Sequence, residues 1–163
     1  MTEGNMTERD AETILKVREF QEHTRECAVQ MINNALYIQK ELPNVVMSDE
    51  LRQRTVDLCS TLIGTKHDLI TEIFELDERM QSGASNAEVL RRIDRMVTWA
   101  EEDALKMHEV VMELGAASER DVMKAGAYLL VSESAVNILS PLNKMRQLAA
   151  QLRATLNEVS QPV

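Results

Sequence analysis

The sequence predicts an all-α protein, an antiparallel up-down-up-down four-helix bundle with long helices, and three observations carry that expectation. Glycine and proline are confined to a few positions that cut the chain into four long segments. Within each segment apolar residues recur at alternating spacings of three and four, the period of helices packed at shallow angles. Aromatic residues make up only 3% of the chain while there are ten methionines. Leu, Ile, Val, Met and Ala pack well helix on helix, whereas sheets favour aromatic and β-branched residues.

The first helix is expected near 7–41, after a polar start in which residues 1–6 fray. Its stripe reads Ile14, Val17, Gln21, Thr24, Ala28, Met31, Ala35, Ile38 and Leu42, with two polar entries. It ends at "KELPN", because the residue before Pro43 is pushed out of the helical region. The second helix, near 48–81, opens on "MSDEL" with Ser48 as N-cap and closes on "MQSGAS" with Gly83 as C-terminal cap. Its stripe runs from Leu51 to Met80 with one slip of phase.

The third helix, near 86–114, begins at the capping box "SNAE", where Ser85 bonds the Glu88 amide and Glu88 reaches back. Its stripe includes Leu90, Ile93, Val97, Ala100, Ala104, Met107, Val111 and Leu114. "ELGAAS" repeats the earlier ending, with Gly115 as terminator. "SERD" then starts the fourth helix, near 119–158, at Ser118. The fourth stripe, from Val131 to Val159, passes Pro141 in phase, so a kink is expected there rather than a break. Residues 160–163 are expected to fray, and 1–163 to form a single domain, which this length supports without disulfide or metal.

Composition also bounds the function. The formal net charge is −9, which repels phosphate backbones and anionic bilayers, so neither nucleic acid nor membrane is an expected partner. No uncharged apolar run approaches the roughly 18–20 residues that span a bilayer. Cys27 and Cys59 stand alone, without a CxxC pair or a secretory leader, the usage of a cytoplasmic protein with inert buried thiols. Residues 1–82 hold sixteen acids and nine bases, whereas residues 125–163 hold two acids and three bases. The last segment is therefore the least charged surface on offer.

Catalytic and metal constellations find little support. Carboxylate-bridged metal bundles use Glu-x-x-His, yet Phe20, Gly64 and Leu105 stand three residues before His23, His67 and His108. Glu19, His23 and Cys27 align at i, i+4, i+8, a spacing more simply read as a solvated flank beside a half-buried thiol. There is no nucleophile elbow and no glycine-rich phosphate loop. Arg91, Arg92 and Arg95 are expected on a solvated face. Gly64 and Gly126, inside helices, are expected to mark close helix approach. Neither metal nor cofactor is expected.

What remains is surplus apolar surface. On the second helix Ile63, His67, Ile70 and Phe74 fall well away from the main stripe; His67 is expected as a core histidine or, failing that, an interface one. On the fourth helix Glu133 points away from the stripe, in the company of Val122, Leu129, Leu130 and Val136. Exposed apolar faces of this kind mark partner contacts. The expected function is a non-enzymatic protein-interaction bundle (adaptor, chaperone-like or regulatory), acting through these second faces as a homodimer. The alternative is a small-molecule-binding sensory bundle with Gln21, Thr24, Thr55 and Thr65 lining a pocket. A metal-dependent enzyme is the least supported reading.

Overall fold

A computed structural model describes residues 3–160, with side chains from 11 to 157. Among the described residues there are four long helices and no strand. They are α1 (Glu3–Glu41), α2 (Asp49–Gln81), α3 (Asn86–Arg120) and α4 (Ala125–Ser160). Short 3-10 turns at Leu42–Asn44 and Val122–Lys124 precede α2 and α4. Each helix packs on the next and α4 closes the square against α1. Cross-helix pairs fix the antiparallel sense: Arg54 meets Glu113 and Arg79 meets Glu88 between α2 and α3, while Arg146 meets Glu101 and Arg153 meets Asp94 between α3 and α4. In each seam residue numbers rise on one helix as they fall on the other.

Local chemistry explains most of the ends. The Ser48 hydroxyl accepts from the Leu51 amide at 3.2 Å, and that of Ser85 from the Glu88 amide at 3.2 Å. The Glu88 side chain does not complete the capping box; it pairs instead with Arg79 at 2.9 Å. Gly83, at φ 82°, ends α2, where the Ala84 amide donates to the Arg79 carbonyl and the Gly83 amide to that of Met80. Those two bonds satisfy the last carbonyls of the helix, and the left-handed conformation they need suits glycine. After α1, the Arg52 guanidinium donates to the carbonyls of Leu42 at 2.6 Å and Val45 at 2.9 Å, tying the connection to α2.

Three expected boundaries move. α1 starts at Glu3, so residues 3–6 are helical, while residues 1–2 and 161–163 lie outside the described chain. α3 does not stop at Gly115 but continues to Arg120. The Tyr128 ring lies 3.3 Å from where a Gly115 Cβ would stand, so this glycine serves a close contact with α4 rather than a helix end. Ser118 caps nothing, its hydroxyl donating to the Gly115 carbonyl. Asp121 is the residue that opens the next turn, accepting from the Met123 amide at 3.0 Å. α4 passes unbroken through Pro141, which removes the usual donor to the Asn137 carbonyl.

The four stripes meet in one buried cluster that includes Phe20, Met31, Leu62, Ile73, Met96 and Ile138. α1 buries its expected stripe from Val17 to Leu42, whereas Ile14 is 39% exposed. α4 buries a wider arc than expected because it touches both α1 and α3: Ala127, Leu130 and Ser134 are covered along with Val131 and Ile138. The expected close approach at Gly64 is absent, since an added Cβ there meets nothing within 4 Å, and at Gly126 it meets only Val45 at 3.7 Å.

Candidate interaction face and the buried polar groups

The residues singled out on α4 and α2 separate into two groups. Val122, Leu129 and Val136 are exposed at 83%, 53% and 63%, and Glu133 is exposed beside them. Leu130 is a correction: it is buried in the core, because the inward arc of α4 extends one residue further round than its heptad stripe implies. On α2, Ile63 and Ile70 are half-buried against the core, while Phe74 and His67 are exposed. His67 is thus on the outside, not the core histidine expected, and the second face of α2 is largely spent on packing.

α1 supplies a surface that its apolar stripe does not announce. From Cys27 to Gln39 it carries no formal charge, and from Ala125 to Asn143 α4 carries only Glu133. The structure brings these stretches side by side: the Asn34 side-chain amide donates to the Ser134 carbonyl at 2.7 Å, and that of Asn137 to Asn34 Oδ1 at 3.3 Å. At this level Val29, Leu36 and Tyr37 of α1 are exposed, next to the helix that exposes Leu129 and Val136. A charge-poor face two helices wide results, on a chain of net charge −9. The charge-free run in α1 and the nearly charge-free one in α4 are the signal that points to it.

Among the described residues one segment, Val122–Asn157 in and just before α4, is long and apolar enough to cross a membrane, its best window having mean hydropathy 1.2. Here its inward stripe, including Ile138, Leu142 and Leu152, is covered by the other helices.

Charged residues dominate the flanks of α3. Arg92 donates to Glu72 at 2.7 Å and to Glu75 at 3.3 Å, with Glu88 3.6 Å away. Glu72 is buried and Arg92 half-buried, so Arg92 sits inside an ion-pair network and not on the solvated face expected of it. The Arg79 hydrogen bond holds the Glu88 carboxyl below its ordinary range. Arg95 lies 6.0 Å from the Trp99 ring centroid, a cation over an aromatic face.

Inside the bundle the polar groups are few. The Thr24 and Thr55 hydroxyls donate to the Phe20 and Leu51 carbonyls of their own helices, at 2.7 and 2.8 Å. Gln21 bridges to α2, donating to the Ile73 carbonyl and to Asp77. Beside it lies an open groove of about 220 Å³, lined by residues including Ile14, Arg18, Met80 and Gln81.

Asp103 is the outlier. It is 2% exposed, accepts a hydrogen bond from Thr65, and leaves Oδ2 without a partner. Burial pushes its carboxyl up to about 6, against the opposing pull of Thr65 and Lys106. Burial, with the charges of Asp103 and Glu26, pushes the Cys27 thiol up to about 12, and burial alone lifts Cys59 to about 11. Both thiols are therefore held in the unreactive protonated form. Of the aligned trio, Cys27 is buried, His23 half-buried and Glu19 exposed, and no three such residues are grouped to hold a metal among the described residues.

Compared with family models, curated proteins and solved structures, the chain matches none.

Proposed function

We propose that this chain is a non-enzymatic interaction protein, an adaptor, chaperone-like or regulatory bundle that works by protein contact through the outer faces of α4 and α1. One observation carries the reading: the charge-poor stretches of the two helices, with Glu133 their one charge, lie side by side and expose Val29, Leu36, Tyr37, Leu129 and Val136. Large exposed apolar patches on small soluble bundles mark contact surfaces, and their charge depletion is the compositional sign of an interface centre. The protonated, buried thiols supply no activated nucleophile, which favours contact over chemistry.

Photo-crosslinking tests this without presupposing the partner. A benzoylphenylalanine replacing Leu36 or Val136 is expected to yield discrete protein adducts in cells that make the chain, whether with a second copy, as a homodimer requires, or with another protein. The same group replacing exposed Glu109 on α3 is expected to yield none. Equal labelling from all three positions, or no adduct from 36 and 136, would falsify the reading.

A further inference from the structure

α1 carries a second stripe on its outer side. Glu12, Leu15, Glu19, Glu22, Glu26, Val29, Asn33, Leu36 and Lys40 follow one another at spacings of three, four, three, four without interruption, and every one of them is exposed. This is the spacing of a helix that has another helix lying along it. The stripe has two halves of different chemistry. From Glu12 to Glu26 it is acidic, with Glu19 and Glu22 lacking a cation within ion-pair distance among the described residues, while Lys16 stands 3.4 Å from Glu12 and His23 3.5 Å from Glu26. From Val29 to Leu36 it is uncharged, on the stretch of α1 that Asn34 ties to α4. On the α4 side the acidic half runs beside Lys144, Gln147 and Gln151, all exposed.

We propose that this stripe seats one amphipathic helix of a partner protein, apolar over Val29–Leu36 and rich in Lys or Arg over Glu12–Glu26. The inference rests on the interaction reading above and names the partner's chemistry. A second copy of this chain fits less well in each register. Two parallel copies set Glu19, Glu22 and Glu26 against themselves. Two antiparallel copies in full overlap set Glu26 against itself, Glu22 against Val29 and Glu19 against Asn33, so the acids still meet no cation but Lys40 at the far end. Overlapping only the uncharged halves covers a length of about 20 Å at 1.5 Å per residue and a width of about 20 Å for two helices. That is roughly 400 Å², half of the about 800 Å² per partner that stable interfaces bury. A helix with a basic end uses the whole stripe, and its cations meet acids that the fold leaves in water.

Two labelled 28-residue helical peptides test this by fluorescence anisotropy. Both carry Leu at the seam positions of one half; the other half carries Lys in one peptide and Glu in its twin. The Lys peptide is expected to bind at least tenfold tighter than the twin, with affinity falling as salt rises. Glu19→Lys with Glu22→Lys, and separately Leu36→Asp, should each weaken it tenfold or more. Charge reversal on α3, Glu109→Lys with Glu119→Lys, should leave it unchanged. All these positions are exposed, and circular dichroism confirms that each variant keeps its helices. Equal binding of the two peptides, no binding of either, or equal weakening by the α3 variant overturns the proposal. Crosslinks from position 36 that join only two copies of the chain also overturn it, while leaving the interaction reading in place.

Discussion

The flanks of α3 and the seam between α1 and α4 are built from opposite chemistry. α3 is joined to α2 by Arg54–Glu113, Arg79–Glu88 and Arg92–Glu72, and to α4 by Arg146–Glu101 and Arg153–Asp94. The α1–α4 seam is instead registered by two neutral amides, Asn34 and Asn137. Exposed ion pairs contribute little each, about 0–1 kcal/mol, but they keep a seam wet and soluble. Neutral amides fix register without placing charges beside the outer face. The difference teaches where this molecule expects water and where it does not: charges gather around α3 and are withheld, Glu133 excepted, from the part of the α1–α4 surface built by residues 27–39 and 125–143.

The sharpest way to break that comparison is to place a charge on either side of the boundary between face and core. Leu130 and Leu129 are adjacent, one 6% and the other 53% exposed. Leu130→Glu places a carboxylate in the apolar core and is expected to cost about 4 kcal/mol or more, enough to unfold a marginal bundle. Leu129→Glu should stay within about 0.5 kcal/mol of the parent. Urea denaturation followed by circular dichroism measures both. Similar losses for the two would mean that the outer face of α4 is core after all.

How much of this was legible in the sequence depends on how local the deciding physics is. Ser48, Ser85 and Gly83 act on residues within one turn, so their roles can be read from a few letters. "ELGAAS" looks like the ending at Gly83, yet its glycine answers to the Tyr128 ring, a contact thirteen residues on that no local pattern announces. The stripe Val131, Ala135, Ile138 puts Leu130 outside the buried arc, whereas contact with α1 shifts the centre of burial towards Ala127 and Ser134 and covers it. His67 faces solvent because the half-buried Ile63 and Ile70 already cover the flank of α2. The outer stripe of α1 has a clear 3.5-residue spacing, but half of it is acidic, and a search for apolar periodicity does not see it. Asp103 did carry a signal: it lies between Ala100 and Met107 at stripe spacing, a carboxylate in a core position.

That carboxylate is the buried exception on the charged side of the molecule: Glu72, also buried, pairs with Arg92, whereas Asp103 has no cation within ion-pair distance among the described residues. Facing it are Thr65 and Asp68 from α2, Cys27 from α1, and Glu102 and Lys106 from its own helix. Its folded value, about 6, lies above the ordinary 3.8. The neutral acid is therefore the form the fold prefers: its stabilising effect is complete below about pH 4 and is lost as pH rises through about 6. Asp103→Asn keeps an acceptor for Thr65 and removes the charge. The variant is expected to be more stable than the parent by about 1–3 kcal/mol at pH 7.5 and close to it at pH 4. Denaturant midpoints across that range check the prediction. An unchanged pH profile would show that Asp103 is reached by water and belongs with the other solvated charges.

The smallest effects test whether the back of α2 is a working surface like that of α1. Gly64 is exposed there, inside a helix, and nothing lies within 4 Å of an added Cβ. Were this glycine kept for the close approach of a partner, Gly64→Ala would weaken assembly. With the outer surface of α1 and α4 as the contact site, the substitution should instead stabilise the fold by about 0.5–1 kcal/mol through helix propensity and leave crosslinking from position 36 unchanged. Gly115→Ala is the matched contrast, because its Cβ would meet the Tyr128 ring at 3.3 Å and forces the ring to give way. The gain from propensity is then offset by strain at the α3–α4 seam, and little or no stabilisation is expected. If Gly64→Ala weakened crosslinking while Gly115→Ala did not, the second face of α2 would have to be restored beside that of α4 as a site of contact.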